Sequence, residues 1–238
     1  GFRIMARLPL PLGFSFYQSE SAPFSSQRCV NWKPVVAESA ALNTRALFQP
    51  DGLKQFVDSG IQVNRGSIIA NDIPYFVNGN SIFSVSSAGV VTTHGTIAGS
   101  GRVSLAVNSI NADTGSQYIV IVVPGGNAYA LTTVTNVLTQ ITDTDFRTSD
   151  TVIFKDGFFV FSTSDGAAFF NSLLNDPFSY NALDFSSPTI NSDKVVALHV
   201  NHNELFVCNE NTILLYQNIG RDPEPFQLIG GANIQKGV

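Results

Sequence analysis

The sequence has little of what builds helices or binds nucleic acid electrostatically. Its 238 residues contain one Met, and Lys, Arg, Asp and Glu together make up only 13% of the chain. Lys and Glu favour helices, so their scarcity argues against a helical protein. The net charge is −5, and no segment carries a run of basic residues. Wrapping of nucleic acid through the release of counterions from phosphates is therefore not expected.

Cysteine and long apolar runs are also lacking. Cys29 and Cys208 are the two cysteines, and they form neither a C-x-x-C motif nor a disulfide framework. This predicts two free thiols in a protein made in a reducing compartment. No apolar run approaches the roughly 20 residues that a membrane-spanning helix needs, so membrane insertion is not expected.

The residues that are present favour β-structure. Apolar residues account for 44% of the chain, and Phe alone occurs 19 times. Val, Ile and Thr are plentiful beside it, and β-branched and aromatic residues fit the pleated surface of a strand. The composition therefore predicts a folded, all-β protein.

One pattern recurs four times along the chain: a short apolar strand, a tight polar or glycine-containing turn, and a second apolar strand. The four copies are residues 73–85, 118–131, 157–170 and 204–217. Their turns, at Gly79, Gly126, Gly166 and Asn211, are 47, 40 and 45 residues apart. That interval is about one four-stranded blade of a β-propeller, and the Asn-Gly and Asp-Gly turns suit tight hairpins.

Three further segments, 102–108, 151–156 and 194–201, alternate as strands do and precede a hairpin, so each is predicted to be the innermost strand of a blade. Residues 142–150 and 175–189 have the composition of loops. The predicted fold is a β-propeller-like repeat of four-stranded blades. A β-sandwich is the alternative, although it does not require so regular an interval.

Two domains are predicted, an extended, irregular N-terminal arm in residues 1–60 and the propeller-like domain in residues 61–238. The arm carries no repeat, and its one helix-like segment, residues 37–47, is short and marginal. The chain stops at GGANIQKGV, where no strand is predicted that could close a ring. About four blades are therefore expected, in a ring completed by residues beyond this chain.

A glycine-rich segment contains Gly95, Gly99 and Gly101, followed by Arg102. A phosphate-binding loop needs a helix after its glycines, whereas the residues that follow here alternate as a strand. The segment therefore predicts a turn into an inner strand, with Arg102 as a solvated charge at the rim of a blade.

Other polar residues form no catalytic or metal-binding pattern. His199 and His202 are spaced i, i+3, which places them on opposite faces of a strand, and no third ligand accompanies them. Asp143, Asp145 and Asp150 fall in one predicted loop, without the glycine and glutamate of a helix-flanked calcium loop. We find no signature of a nucleophile. No catalytic, cofactor or metal site is predicted, and the chain is not expected to be an enzyme.

Six segments of the chain can be compared with one known protein family. The most specific is IAGSGRVSLAVN, and the others are RCVNWKPVVAES, FQPDGLKQF (with Asp51 inserted between the family's proline and glycine), PYFVNGNSIFSV, LFVCNENTILLYQNIG and IQKGV. These segments resemble the packaged-DNA stabilisation proteins of short-tailed bacteriophages, which form the tail hub, or nozzle.

The resemblance implies a structural protein of the virion tail, made in the host cytoplasm. It implies a homo-oligomeric, hexameric ring that seals packaged DNA and contacts the head-to-tail adaptor ring, the tail needle, and the tailspikes or fibres. It implies no cofactor, and contact with DNA in the channel would be non-specific. The alternatives are a carbohydrate-binding or glycoside-active propeller and a general interaction scaffold. The single Trp, in the predicted arm, argues against sugar binding.

Overall fold

The computed structural model describes residues 31–36, 45–61, 63–188 and 193–238, and the chain divides into two compact units, Gly1–Gln55 and Phe56–Val238. In the first unit, β1 (Lys33–Val36) pairs antiparallel with β2 (Arg45–Phe48). The helix expected over residues 37–47 is wrong at its C-terminal end, which lies in β2; its first eight residues, like Cys29, lie outside the described residues.

The second unit consists of four antiparallel sheets, each built from four strands that follow one another in sequence. We call these sheets blades 1 to 4. Blade 1 contains β3 (Asn64–Ala70), β4 (Ile73–Asn78), β5 (Ser81–Val85) and β6 (Val91–Thr96), and blade 2 contains β7 (Ser104–Val107), β8 (Tyr118–Val122), β9 (Ala128–Thr132) and β10 (Val137–Gln140). Blade 3 contains β11 (Ser149–Lys155), β12 (Phe158–Thr163), β13 (Phe169–Leu173) and β14 (Asp176–Ser186), and blade 4 contains β15 (Val195–Asn201), β16 (Glu204–Asn209), β17 (Ile213–Asn218) and β18 (Phe226–Ile234).

The four predicted hairpins are the two central strands of the four blades, so the all-β, propeller-like repeat is confirmed. The first strands of consecutive blades contact one another, β3 with β7, β7 with β11, and β11 with β15. They are therefore the innermost strands, as the sequence predicts for β7, β11 and β15. A two-sheet sandwich does not describe this arrangement.

Two sequence predictions about the outer strands are wrong. Residues 175–189 were expected to form a loop, but β14 occupies most of that segment. The GGANI part of the C-terminal segment was expected to lack a strand, but it lies in β18, which completes blade 4. Both strands pair with register shifts, and an irregular, half-exposed strand shows no clean alternation. The four described blades do not close into a ring.

Each pair of neighbouring blades shares one hydrophobic core, and the central strands of blades 2 and 3 present both faces to neighbouring blades. On β8, Ile119 and Ile121 face blade 1, whereas Val120 and Val122 face blade 3. All four side chains are fully buried. A strand buried on both faces reads as a continuous apolar run, which is why the central hairpins of blades 2 and 3 stand out in the sequence.

The many phenylalanines fill the interfaces between blades 2 and 3 and between blades 3 and 4. Phe161 stacks on Phe170 with ring centroids 5.1 Å apart, and Phe146 meets both rings edge-on. Between blades 3 and 4, Phe169 meets Tyr216 edge-on at 4.9 Å. Offset and edge-to-face pairs of this kind add to the stabilisation that burial of the rings provides. Within the described part of the chain, no helix is long and apolar enough to span a membrane.

Candidate functional site

Polar side chains gather where the inner strands begin, beside the turns of the central hairpins. In blades 1, 3 and 4 the register shifts at the second residue of the inner strand, which is Arg65, Asp150 and Val196, respectively. A bulge leaves one residue out of the ladder and turns its side chain in a new direction. In blades 1 and 3 that side chain is charged and binds the hairpin turn of its own blade.

Arg65 binds two loops of blade 1 through backbone carbonyls. Its Nη1 donates to the carbonyl of Gly79 in the hairpin turn at 2.9 Å, and its Nε donates to the carbonyl of Gly101, after β6, at 2.7 Å. The side chain is 4% exposed, and its Nη2 is buried without a hydrogen-bond partner. Desolvation lowers the pKa of Arg65, and the opposing influence comes from the phenol of Tyr129 rather than from a carboxylate.

A cleft of about 430 Å³ lies along the inner strands of blades 1 and 2, and Arg65 forms part of its lining. Arg102 also lines the cleft, is exposed, and has no hydrogen-bond or ion-pair partner among the described residues. None of the eight lining residues is acidic; they are Asn64, Arg65, Gly66, Ser67, Arg102, Val103, Ser104 and Leu105.

The glycine-rich segment connects blades 1 and 2, as the sequence predicts. Gly95 lies near the end of β6, and β7 begins at Ser104, directly after the loop that contains Gly99 and Gly101. Both loop glycines have φ of +82°, a conformation that side chains disfavour. At Gly99 a Cβ atom would also lie 2.8 Å from Cγ1 of Val123 in blade 2, so close packing between blades requires glycine there.

The histidines do not form a site. His199 is exposed on β15, and His202 lies in the turn that follows, where its Nδ1 is 2.7 Å from Oδ1 of Asn201. His94 lies on β6, with Nε2 2.8 Å from Oγ of Ser84, and desolvation lowers its pKa. The described residues contain no group of three or more His, Cys, Asp or Glu residues placed to hold a metal ion.

The aspartates bind turns. Asp143 accepts the N–H of Asp145 at 2.8 Å within their shared loop. Asp150 was expected in that loop, but it lies in β11, where the bulge directs its carboxylate to the turns of two blades. It accepts the N–H of Gly125 at 2.9 Å and the hydroxyl of Ser164 at 2.7 Å. These bonds fix turns through protein donors alone.

Cys208 lies half-buried on β16 and is a free thiol. Desolvation raises its pKa, which lowers the fraction of reactive thiolate. The sequence prediction of a free thiol holds for this cysteine.

The chemistry of the site is that of ionic and hydrogen-bonding contacts. The bulged Arg65, the exposed Arg102 and a cleft without acidic lining residues can attract an anion, whereas Asp143 and Asp150 accept hydrogen bonds from turns. The interaction of Arg65 with Gly79 and Gly101 was not predicted. Its acceptors are 14 and 36 residues away in sequence, so no local pattern indicates it.

The second unit is therefore a β-propeller-type array of four blades. Residues 6–238 match the family model described as "Bacteriophage P22 Gp10, beta-propeller" (Phage_stabilise), so the chain belongs to that family. It is a structural protein of a bacteriophage, and the resemblance to packaged-DNA stabilisation proteins is confirmed. No curated protein sequence matches the chain.

Several solved structures align with most of the chain. The chain resembles YCF48 bound to D1 peptide (TM-score 0.50, 13% identity, 80% of this chain). It also aligns with PorZ of the type-IX secretion system of Porphyromonas gingivalis (TM-score 0.45, 16% identity, 74% of this chain) and with the computationally designed Ika8 protein (TM-score 0.47, 14% identity, 72% of this chain). The chain spans 59%, 21% and 50% of those three chains, respectively. At 13% identity, the likeness to YCF48 shows a shared fold alone.

Proposed function

We propose that this protein is part of the tail hub, or nozzle, of a short-tailed bacteriophage. It retains packaged DNA and links the head-to-tail adaptor ring to the tail needle and to the tailspikes or fibres. The observation that carries the proposal is the family match, which extends over residues 6–238. The protein acts as a structural part of the virion and not as an enzyme.

A repeat of blades suits a structural role because it has a large surface and because its buried residues are shared among several interfaces. Each interface between blades has its own buried cluster, so the array is held together along its whole length. The site contains a cleft and hydrogen bonds that fix turns. His94 contacts the hydroxyl of Ser84, but its other ring nitrogen is buried without a hydrogen-bond partner, so no described carboxylate orients that pair. Such a scaffold can present loops to several partners at once.

The proposed assembly is a homo-oligomeric, hexameric ring that surrounds the path of the DNA. Contacts between the ring and the DNA do not depend on the DNA sequence. The net charge of −5 supports passage of DNA, since a net negative protein does not hold phosphates over its whole surface.

A phage in which this coding sequence carries an early stop codon tests the proposal. We expect heads that package DNA but lose it, measured as the fraction of heads whose DNA resists nuclease. Supplying the wild-type protein from a plasmid should restore protected DNA, and this is the matched control. Infectious, DNA-filled particles that lack the protein would exclude a role in retention.

The same particles test the link to the distal tail. We expect the adaptor ring to remain on heads that lack the protein, and the needle and tailspikes to be missing, as measured by mass spectrometry of purified particles. Needle and spikes at wild-type abundance would exclude the linking role, whatever the outcome for DNA retention.

A further inference from the structure

Two buried cations in the blades differ in how their charge is compensated. Lys155 and Arg65 are each 4% exposed. Lys155 forms an ion pair with Asp156 at 2.8 Å and also donates to the carbonyl of His202. Arg65 has two carbonyl acceptors and no carboxylate partner among the described residues. A buried charge without a counterion is expensive to maintain, so the Arg65 guanidinium favours an anion nearby.

The cleft that Arg65 lines contains a second positively charged residue, Arg102, and no acidic residue among its lining residues. Arg102 lines the cleft and is exposed, and no described residue pairs with it. Two positive charges that line one cleft repel each other, and an anion bound there offsets the repulsion through its attraction to both. The hydroxyl of Ser67 and the absence of acidic lining residues also favour an anion.

We propose that the cleft along the inner strands of blades 1 and 2 binds a phosphate group, with Arg102 in contact with it and the buried charge of Arg65 stabilising it. The planar guanidinium presents paired N–H donors that match phosphate oxygens. The phosphate belongs either to a free phosphate ion or to the backbone of a nucleic acid. This inference does not rest on the proposed tail-hub function.

The proposed site differs from a glycine-rich phosphate loop. Such a loop binds phosphate through backbone N–H groups at the start of a helix, and here the loop leads into β7. The carbonyl of Gly101 points to Arg65, so the loop positions the arginine. Recognition therefore depends on the two arginine side chains.

Binding is measured on the 238-residue chain and two variants, Arg102→Gln and Lys236→Gln. Both substitutions remove one exposed positive charge, but Lys236 follows β18 and does not line the cleft. The probes are sodium phosphate, followed by phosphorus NMR, and a short single-stranded DNA oligonucleotide, followed by calorimetry. We expect Arg102→Gln to weaken binding by about tenfold or more, the loss that removal of a charge-assisted hydrogen bond brings, and Lys236→Gln to bind as the parent chain does.

The stability of each variant serves as a second readout. Phosphate is excluded from protein surfaces and stabilises most proteins, so a rise in Tm alone does not show binding. Arg102→Gln should show a smaller rise than Lys236→Gln at each phosphate concentration, because only the latter keeps the site. Equal Tm values without phosphate confirm that both variants fold.

The binding results for the two probes and the two variants together support or exclude the phosphate site. Binding of both probes that depends on Arg102 supports a site for phosphate in either form. Binding of phosphate alone assigns the site to the free ion, and binding of the oligonucleotide alone assigns it to the nucleic-acid backbone. If neither probe binds at millimolar concentration, or if both variants bind equally well, the proposal is wrong.

Discussion

The carboxylate of Asp193 accepts hydrogen bonds from both the backbone N–H and the side-chain amide of Asn211, each at 2.9 Å. It also accepts the hydroxyl of Thr212 at 3.0 Å. Asn211 lies in the turn of the blade 4 hairpin, and Asp193 lies just before the inner strand of that blade. Asp150 binds the blade 3 hairpin in the same way through Ser164. A carboxylate at the start of an inner strand therefore fixes the central hairpin in two of the four blades.

The Asp193→Asn variant should lose less stability in acid than the parent chain. Desolvation raises the pKa of Asp193, but hydrogen bonds from Asn211 and Thr212 outweigh it and hold the pKa below its usual value. A depressed carboxyl pKa stabilises the fold above the unfolded value of about 3.9, and the contribution is lost as pH falls through the folded pKa. Urea unfolding at several pH values between about 5 and 2 measures the difference, and identical pH profiles would show that these bonds do not favour the ionised form.

The contribution of Asp184 to stability should depend on pH in the direction opposite to that of Asp193. The residue is 5% exposed, and desolvation raises the pKa of its carboxyl group. The hydrogen bond from the N–H of Glu224 opposes this shift, whereas the negative charges of Asp222 and Glu224 add to it. A raised carboxyl pKa stabilises the fold below the unfolded value, and the contribution disappears as pH rises through the folded pKa.

Asp184→Asn removes this buried charge and keeps an oxygen that can accept the N–H of Glu224. Its stability relative to the parent chain should therefore be higher at pH 7 than at acid pH. Urea unfolding at neutral and acid pH gives the comparison, and Asp193→Asn is the matched carboxylate control. A relative stability that falls with increasing pH contradicts the prediction.

The two loop glycines should respond differently to alanine. Gly101→Ala places a Cβ in open space at φ of +82°, so it should lose about 1–2 kcal/mol from backbone strain alone. Gly99→Ala has the same φ but also meets Val123, so it should lose about 1–3 kcal/mol more. Urea unfolding of both variants tests whether the loop packs against blade 2. Equal losses would mean that Gly99 is needed only for its backbone conformation.

Arg65→Met should destabilise the protein by about 2 kcal/mol, because two charge-assisted hydrogen bonds are lost and the carbonyls of Gly79 and Gly101 lose a donor. Removal of a buried charge acts in the other direction, so the measurement decides which effect is larger. Arg102→Met, at the exposed neighbour, should stay within about 0.5 kcal/mol of the parent. Unchanged or increased stability of Arg65→Met would show that relief of the buried charge outweighs the two lost hydrogen bonds.

The central hairpins were predictable because their turns use residues that favour positive φ and their strands are apolar. The strands are buried on both faces in blades 2 and 3, and they alternate between buried and partly exposed residues in blades 1 and 4. The outer strands were not. β14 contains Pro177, mixes polar and apolar residues, and changes register twice against β13, so it resembles a loop in sequence. β18 carries two adjacent glycines and also shifts register. Neither strand presents the period of two that identifies a regular half-buried strand.

The candidate site was predicted in part. The sequence places Arg102 at the entrance of an inner strand and excludes a glycine-rich phosphate loop, and the structure agrees. It gives no sign of Arg65, because a bulge directs that side chain to acceptors in other parts of the blade. Contacts between positions far apart in sequence depend on the assembled fold, and no local pattern encodes them.

Imaging of purified virions by electron cryomicroscopy tests the tail-hub proposal most directly. The four blades have a defined order and connection, so density at sufficient resolution can be assigned to this chain. We expect a ring of these propeller-type units below the head-to-tail adaptor, surrounding the path of the DNA and touching the needle. Virions that lack the chain, or that carry it on the head surface away from the DNA exit, would contradict the proposal.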